Sequence, residues 1–309
     1  MELIIKNVCK KIGDNNILTN VNLNIKKGDT FALVGPNGAG KTTLIRIILG
    51  LYEMTKGEVY VDGVSITSKE YNQKKNEISF VLDNLGLFRD LNAWENIEFF
   101  DRIYNPKSTK NDRKARIEKI LKEIDLFNKS KDNISFFSRG MKQRLAIGRT
   151  LVNTPKLFIL DEPSKGLDVE GQVFLVDYIK RLKKTGCTIF INSHDLSYIE
   201  KVCDCVAFIK NGEIIAFDKY ENLSKKLSLN MYSLKARNYS EWVNKLKNEG
   251  FVEWLQVKED YIVLKLKNNY NKLPEWLTDN KVVVIELKQL NNNLEYYYKK
   301  IILGNEESI

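Results

Sequence analysis

Nine consecutive residues carry the clearest chemistry in this chain: Gly35, Pro36, Asn37, Gly38, Ala39, Gly40, Lys41, Thr42 and Thr43. The first eight fit the pattern G-x-x-x-x-G-K-[ST], a phosphate-binding loop. Its glycines let the backbone close around phosphate oxygens with the N–H groups turned inward. Lys41 suits the β and γ phosphates, and the Thr42 hydroxyl suits Mg²⁺. An apolar run, Phe31 to Val34, leads in as a strand. A helical apolar pattern, Leu44 to Leu49, leads out and adds the positive end of its dipole. The loop calls for nucleotide phosphates and Mg²⁺, and by itself leaves kinases, GTPases, helicases and transporters open.

A second apolar run, Leu157 to Leu160, ends in Asp161 and Glu162. Asp161 is placed to ligate Mg²⁺, directly or through water. Glu162 is placed to polarise an attacking water as general base. Upstream lies Phe137-Ser138-Arg139-Gly140-Met141-Lys142-Gln143-Arg144. Ser138 can cap a helix there, and a helix N-terminus suits phosphate. The single histidine, His194, follows a strand that ends at Asn192.

Together these segments resemble the ABC-type ATPases. The family signature is usually Leu-Ser-Gly-Gly-Gln. Ser138 and Gly140 match it, while Phe137, Arg139 and Met141 stand in for the Leu, the first Gly and the Gln. The resemblance implies that Ser138, Arg139, Gly140 and Met141 meet the ATP of a second subunit in a head-to-tail cassette dimer. Ser164-Lys165-Gly166-Leu167-Asp168 resembles the D-loop, which implies nucleotide proximity for Asp168. His194 resembles the switch histidine that contacts the γ-phosphate and the attacking water. Ile12 stands where the family usually has an adenine-stacking aromatic, and Asp83 where it usually has a Gln. That Gln binds Mg²⁺ and links the cassette to the membrane subunit. An acidic residue at this place, with a signature ending Gly-Met-Lys-Gln-Arg-Leu, is similar to the bacitracin and lantibiotic export branch. The resemblance implies the nucleotide-binding subunit of a bacterial exporter, hydrolysing ATP to move a peptide, antibiotic or other hydrophobic cargo. Its partners would be separate transmembrane permease subunits and a second cassette, identical or paralogous. Its place would be the cytoplasmic side of the membrane.

The elements that must hold these residues read as α/β. Short strands are expected at Glu2 to Val8, Val21 to Ile25, Thr30 to Val34, Ile78 to Leu82 and Thr188 to Asn192, with hairpins around Asp62-Gly63 and Asn211-Gly212. The strand–helix–strand run from Leu157 through Gly171–Lys184 to Asn192 implies a parallel crossover. Helical periodicity from Asn92 to Val152 marks a helical subdomain inserted at about 84–155. Asn92 and Glu95 have the spacing of a capping box. The fold class is thus a P-loop NTPase cassette, residues 1–220, followed by a small α+β accessory or regulatory domain, 221–309. The latter contains Trp242, Trp254 and Trp276, which are expected to anchor its core.

Composition sets bounds on this reading. Cysteines at 9, 187, 203 and 205 do not form a disulfide framework or a zinc spacing. No stretch approaches the roughly 18 apolar residues of a membrane span, so a permease must be another chain. The net charge of +9 comes from dispersed lysines, and no nucleic-acid partner is expected. The alternative is a soluble ABC ATPase acting on nucleic acid or ribosomes. Translation-type members of that class carry two cassettes, and DNA-repair members insert a long coiled coil. This chain has one phosphate loop, and Lys41 and Ser138 are separated by only about 97 positions.

Overall fold

The computed structural model describes residues 1–227, 231–258, 260–267, 272–289 and 294–298. They fall into two compact units, 1–220 and 221–309.

In the first unit the chain runs β1 (Leu3–Ile12), β2 (Asn15–Ile25), β3 (Thr30–Val34), α1 (Lys41–Ile48), β4 (Lys56–Val61), β5 (Val64–Ser65), α2 (Tyr71–Lys74) and β6 (Ile78–Val81). It continues through α3 (Ala93–Tyr104), α4 (Lys110–Glu123), α5 (Arg139–Thr150), β7 (Leu157–Asp161), α6 (Val169–Lys184), β8 (Thr188–Asn192), α7 (Leu196–Val202), β9 (Cys205–Lys210) and β10 (Glu213–Lys219). Two sheets result. One is antiparallel, in the order β2-β1-β4-β5. The other has the order β10-β9-β3-β8-β7-β6. In it β6, β7, β8, β3 and β9 are parallel, and β10 closes the edge as a hairpin.

Sequence explains the division. β3, β7 and β8 are buried at every residue, as expected of continuous apolar runs with both faces covered. Phe31, Phe158, Phe190 and Phe208 are fully buried, each stabilising the fold by about 1.5–3 kcal/mol. α1 packs Leu44, Ile45, Ile47 and Ile48 into the core that also takes up Leu3, Ile5 and Val59. The helical insertion has its own core, in which Ile97, Ile117, Leu121, Phe137 and Leu145 meet. The Asn92–Glu95 capping box forms in both directions at 2.9 Å. The short helices α2 and α7 had no periodicity long enough to announce them.

The second unit runs α8 (Tyr220–Leu227), β11 (Met231–Ala236), α9 (Tyr239–Lys247), β12 (Val252–Val257), β13 (Ile262–Leu266), α10 (Lys272–Asp279), β14 (Val284–Gln289) and α11 (Leu294–Tyr298). Its sheet is antiparallel, β12-β13-β11-β14. Trp242 and Trp276 meet edge to face at 6.3 Å within its core. Trp254 corrects the expectation of three anchors: it is half-buried on β12, outside that cluster. A strand's alternation puts it on the face opposite Leu255 and Val257. The sequence reading passed over β12 as an element. The sequence also predicts a helix from Leu294 to Leu303; α11 covers its start, and the rest lies outside the described residues.

Candidate active site

Four loops meet at the carboxyl edge of the parallel strands, where open α/β sheets bind ligands. They follow β3 (the 35–40 loop), β6 (Asp83), β7 (Glu162) and β8 (Ser193 and His194). Register does the alignment: Asp161 stands opposite Asn192, and Val81 opposite Leu160. A cavity of about 390 Å³ opens there, walled by residues 37–43, Asp83, Asp161, Glu162, Lys165, Asn192 and Ile17.

Gly40 turns the loop into α1 with φ 100°. A Cβ at Gly40 would meet Leu18 Cδ2 at 2.6 Å and the Ile17 carbonyl oxygen at 2.7 Å, so only glycine fits. No side chain caps α1, which leaves its first N–H groups for an anion. Lys41 is buried, and its ammonium donates to the carbonyls of Gly35 at 2.7 Å and Pro36 at 3.0 Å. Burial lowers its pKa, against the pull of the Glu162 and Asp161 charges.

Asp161 accepts from the Thr42 hydroxyl at 3.2 Å and from the Asn192 amide. Burial raises its pKa; those two hydrogen bonds oppose the rise, and the Asp83 charge adds to it. Thr42, Asp161 and Asp83 thus offer hard oxygen donors on one wall. Asn192 Oδ1 beside them is buried with no hydrogen-bond partner among the described residues. Two carboxylates, a hydroxyl and an open side suit Mg²⁺, which keeps waters and takes phosphate oxygens rather than a full protein cage.

Glu162 follows Asp161 with φ 51°. Its N–H donates to the Asn192 carbonyl at 2.8 Å. Its Oε2 lies 2.7 Å from His194 Nδ1. The carboxylate is mostly buried, at 13% exposure, whereas the imidazole is 62% exposed. Asp83 receives the Lys165 ammonium on both oxygens, at 3.0 and 3.2 Å.

The remaining expected residues lie elsewhere. Ser138 Oγ accepts from the Met141 N–H at 3.2 Å and starts α5. Ser138, Arg139, Gly140 and Met141 do not line the cavity of their own chain. Asp168 caps α6 by accepting from Gly171 N–H at 2.8 Å. It too stays outside the cavity, beside Gly140, where a Cβ would come within 3.7 Å of its Oδ1. Ile12 ends β1, half exposed, and is not among the lining residues; Ile17 supplies the apolar wall instead. Sequence reasoning did not single out Ile17, Lys165 or Asn192. Only Asn192 had a signal, because it ends the strand that pairs with the one ending in Asp161.

The thiols take no part. Burial pushes Cys187 and Cys205 up to about 12 and Cys203 well above its usual range.

Comparison with known proteins matches residues 18–165 to the ABC transporter family model. The chain is 32% identical over 99% of its length to "Uncharacterized ABC transporter ATP-binding protein YhcH" of Bacillus subtilis, covering 98% of that protein. It is 31% identical over 98% of its length to the "Bacitracin transport ATP-binding protein BcrA" of Bacillus licheniformis, covering 99% of it. Among solved structures, it is similar to the dimeric post-hydrolysis state of the ATP-binding cassette MJ0796 bound to ADP and Pi. That match has TM-score 0.65 and 31% identity, over 70% of this chain and 98% of that one. A phosphate-loop cavity with its lysine and paired carboxylates, a histidine held against Glu162, and relatives matched over nearly their whole length lead to one conclusion: the chain belongs to the ABC transporter family as an ATP-binding subunit, an ATPase.

Proposed function

We propose that this chain powers an exporter of peptide antibiotics or similar amphipathic cargo, as one of two cassettes that sandwich ATP head to tail. The observation that carries the catalytic part is the contact of Glu162 with His194 at the mouth of the phosphate-loop cavity. Glu162 is the general base and takes the proton of the attacking water. His194, hydrogen-bonded to it, orients that carboxylate. Lys41 and the N–H groups of residues 37–43 stabilise charge on the β and γ phosphates. Thr42, Asp161 and Asp83 would hold Mg²⁺, which when bound would neutralise phosphate charge. Ser138, Arg139, Gly140 and Met141 serve the partner cassette's nucleotide, since none of them reaches the cavity of its own chain.

The cargo class rests on the names of relatives, bacitracin transport among them. The membrane partner rests on a surface. A cleft of about 470 Å³ runs beside Asp83, walled by Leu85, Leu87, Arg89, Ile134 and Lys142. Near its rim Phe88 and Phe99 meet at 4.6 Å, both about two-fifths exposed. A groove of mixed lining, with leucines beside basic side chains, suits a short cytoplasmic helix of a permease. Among the described residues no helix is long and apolar enough to cross a membrane. Residues 221–309 are assigned a regulatory or dimer-supporting role.

The test is reconstitution in lipid vesicles with candidate multi-span permease proteins. ATP hydrolysis should rise on assembly, and Glu162→Gln should lower it about 10²–10⁴-fold while the complex stays intact. Hydrolysis indifferent to every such partner would sink the transport reading.

A further inference from the structure

The catalytic reading leaves one charged residue of the cavity wall unused. Asp83, Asp161 and Glu162 bring three carboxylates to the wall, and Lys41 brings one ammonium. Lys165 supplies the second, spanning both Asp83 oxygens at 3.0 and 3.2 Å. It does so from a loop 82 positions away. That loop is anchored independently: Ser164 Oγ lies 3.5 Å from Ser193 Oγ, and the Arg139 guanidinium lies against Gly166. Lys165 is therefore presented to Asp83 by a built loop. Asp83 in turn lines the same cavity as Asp161 and Thr42.

We propose that Lys165 is a positioning residue that competes with the divalent cation for Asp83, and so sets how much Mg²⁺ the chain needs to hold ATP. The inference rests on the reading of Thr42, Asp161 and Asp83 as the cation's oxygen donors. A carboxylate already bridged by an ammonium is a weaker donor to a metal than a free one. Lys165 and Asp83 are each about half exposed, at 46% and 51%. An exposed pair of this kind shifts an equilibrium by at most about fivefold. The competition is thus one that physiological Mg²⁺ can win, which makes it a tuning device rather than a block.

The experiment measures binding, not turnover. In the full chain carrying Glu162→Gln, a fluorescent ATP analogue is bound at increasing Mg²⁺, and the concentration for half-maximal binding is read. Lys165→Met should lower that concentration by about two- to fivefold. Lys165→Arg should leave it near the starting value. With Asp83→Asn already present, Lys165→Met should have no further effect. An unchanged Mg²⁺ requirement in Lys165→Met overturns the proposal. So does an equal shift with and without Asp83, which reports only the general field of a removed charge. If the starting chain binds the analogue with no dependence on Mg²⁺, the reading of the cation site fails as well. If that dependence is present and only the Lys165 variants are silent, the competition alone fails.

Discussion

Glu162 Oε2 and His194 Nδ1 are 2.7 Å apart although 32 residues separate them in sequence. β7 and β8 end side by side, with Asp161 opposite Asn192, and each strand delivers its next residues to the same edge. Glu162 reaches His194 from a left-handed backbone, φ 51°, uncommon for a residue that carries a Cβ. The Asn192 carbonyl holds its N–H there at 2.8 Å. A backbone held in such a region costs about 1–3 kcal/mol.

Glu162→Gln is expected to retain ATP binding and to lower hydrolysis about 10²–10⁴-fold. It should also accumulate an ATP-bound dimer, read by size-exclusion chromatography. Near-normal turnover in a preparation free of contaminating ATPase would remove Glu162 from its role. His194→Ala should lower turnover with little change in nucleotide affinity, because the imidazole acts through the carboxylate.

Ser138→Arg and Lys41→Ala are each expected to inactivate a homodimer. Mixed together, they should regain part of the activity, since one of the two sandwiched sites then keeps both its loop and its signature. Mixtures that stay inactive while mixed dimers are demonstrably formed would count against the shared site.

Asp161→Asn is expected to stabilise the chain while abolishing Mg²⁺-dependent hydrolysis. Burial raises the Asp161 pKa above its unfolded value. Between the two values the folded chain holds more protons than the unfolded one, so stability falls as pH rises through that window. The penalty is present above the folded pKa and absent below the unfolded one. The gain in Tm from Asp161→Asn should therefore be larger at pH 7 than near pH 4, each kcal/mol appearing as about 2–4 °C. A gain that grows toward acid would contradict the burial argument.

Gly166→Ala is expected to cost about 1–2 kcal/mol from its left-handed backbone alone, φ 67°. A further cost arises because the new Cβ would lie 2.6–2.8 Å from the Arg139 guanidinium. Arg139→Ala should relieve only this second part. Denaturant midpoints of the two single variants and the double variant measure the coupling; strict additivity would show that Arg139 does not rest on Gly166.

Removal of the second unit by truncation near Asn222 is expected to leave ATP binding in place while altering dimer stability or transport. Every cavity residue precedes Tyr220. Loss of nucleotide binding in a truncated chain shown to be folded would assign that unit to the site itself.

The chemistry of this protein is written locally. A phosphate loop is a run of adjacent residues, so its glycines, lysine and threonine stand within two turns of chain. The same holds for Asp161-Glu162 at a strand end, for the Ser138 cap and for the Asn92–Glu95 box, whose partners stand three positions apart. These could be placed by number from spacing alone. Spacing could not place contacts that depend on which strands lie side by side. Asn192 meets Asp161 only because β8 pairs in parallel with β7, and Ile17 becomes the cavity wall only because β2 folds against Gly40. Ile12 is expected at the nucleotide, but its hairpin with Asn15 leaves it half exposed and outside the cavity lining. Lys165 on Asp83 and Arg139 on Gly166 had no signal at all. Long cations have many accessible partners in an unfolded chain, and which carboxylate or glycine they find is decided by the tertiary arrangement of the loops that carry them.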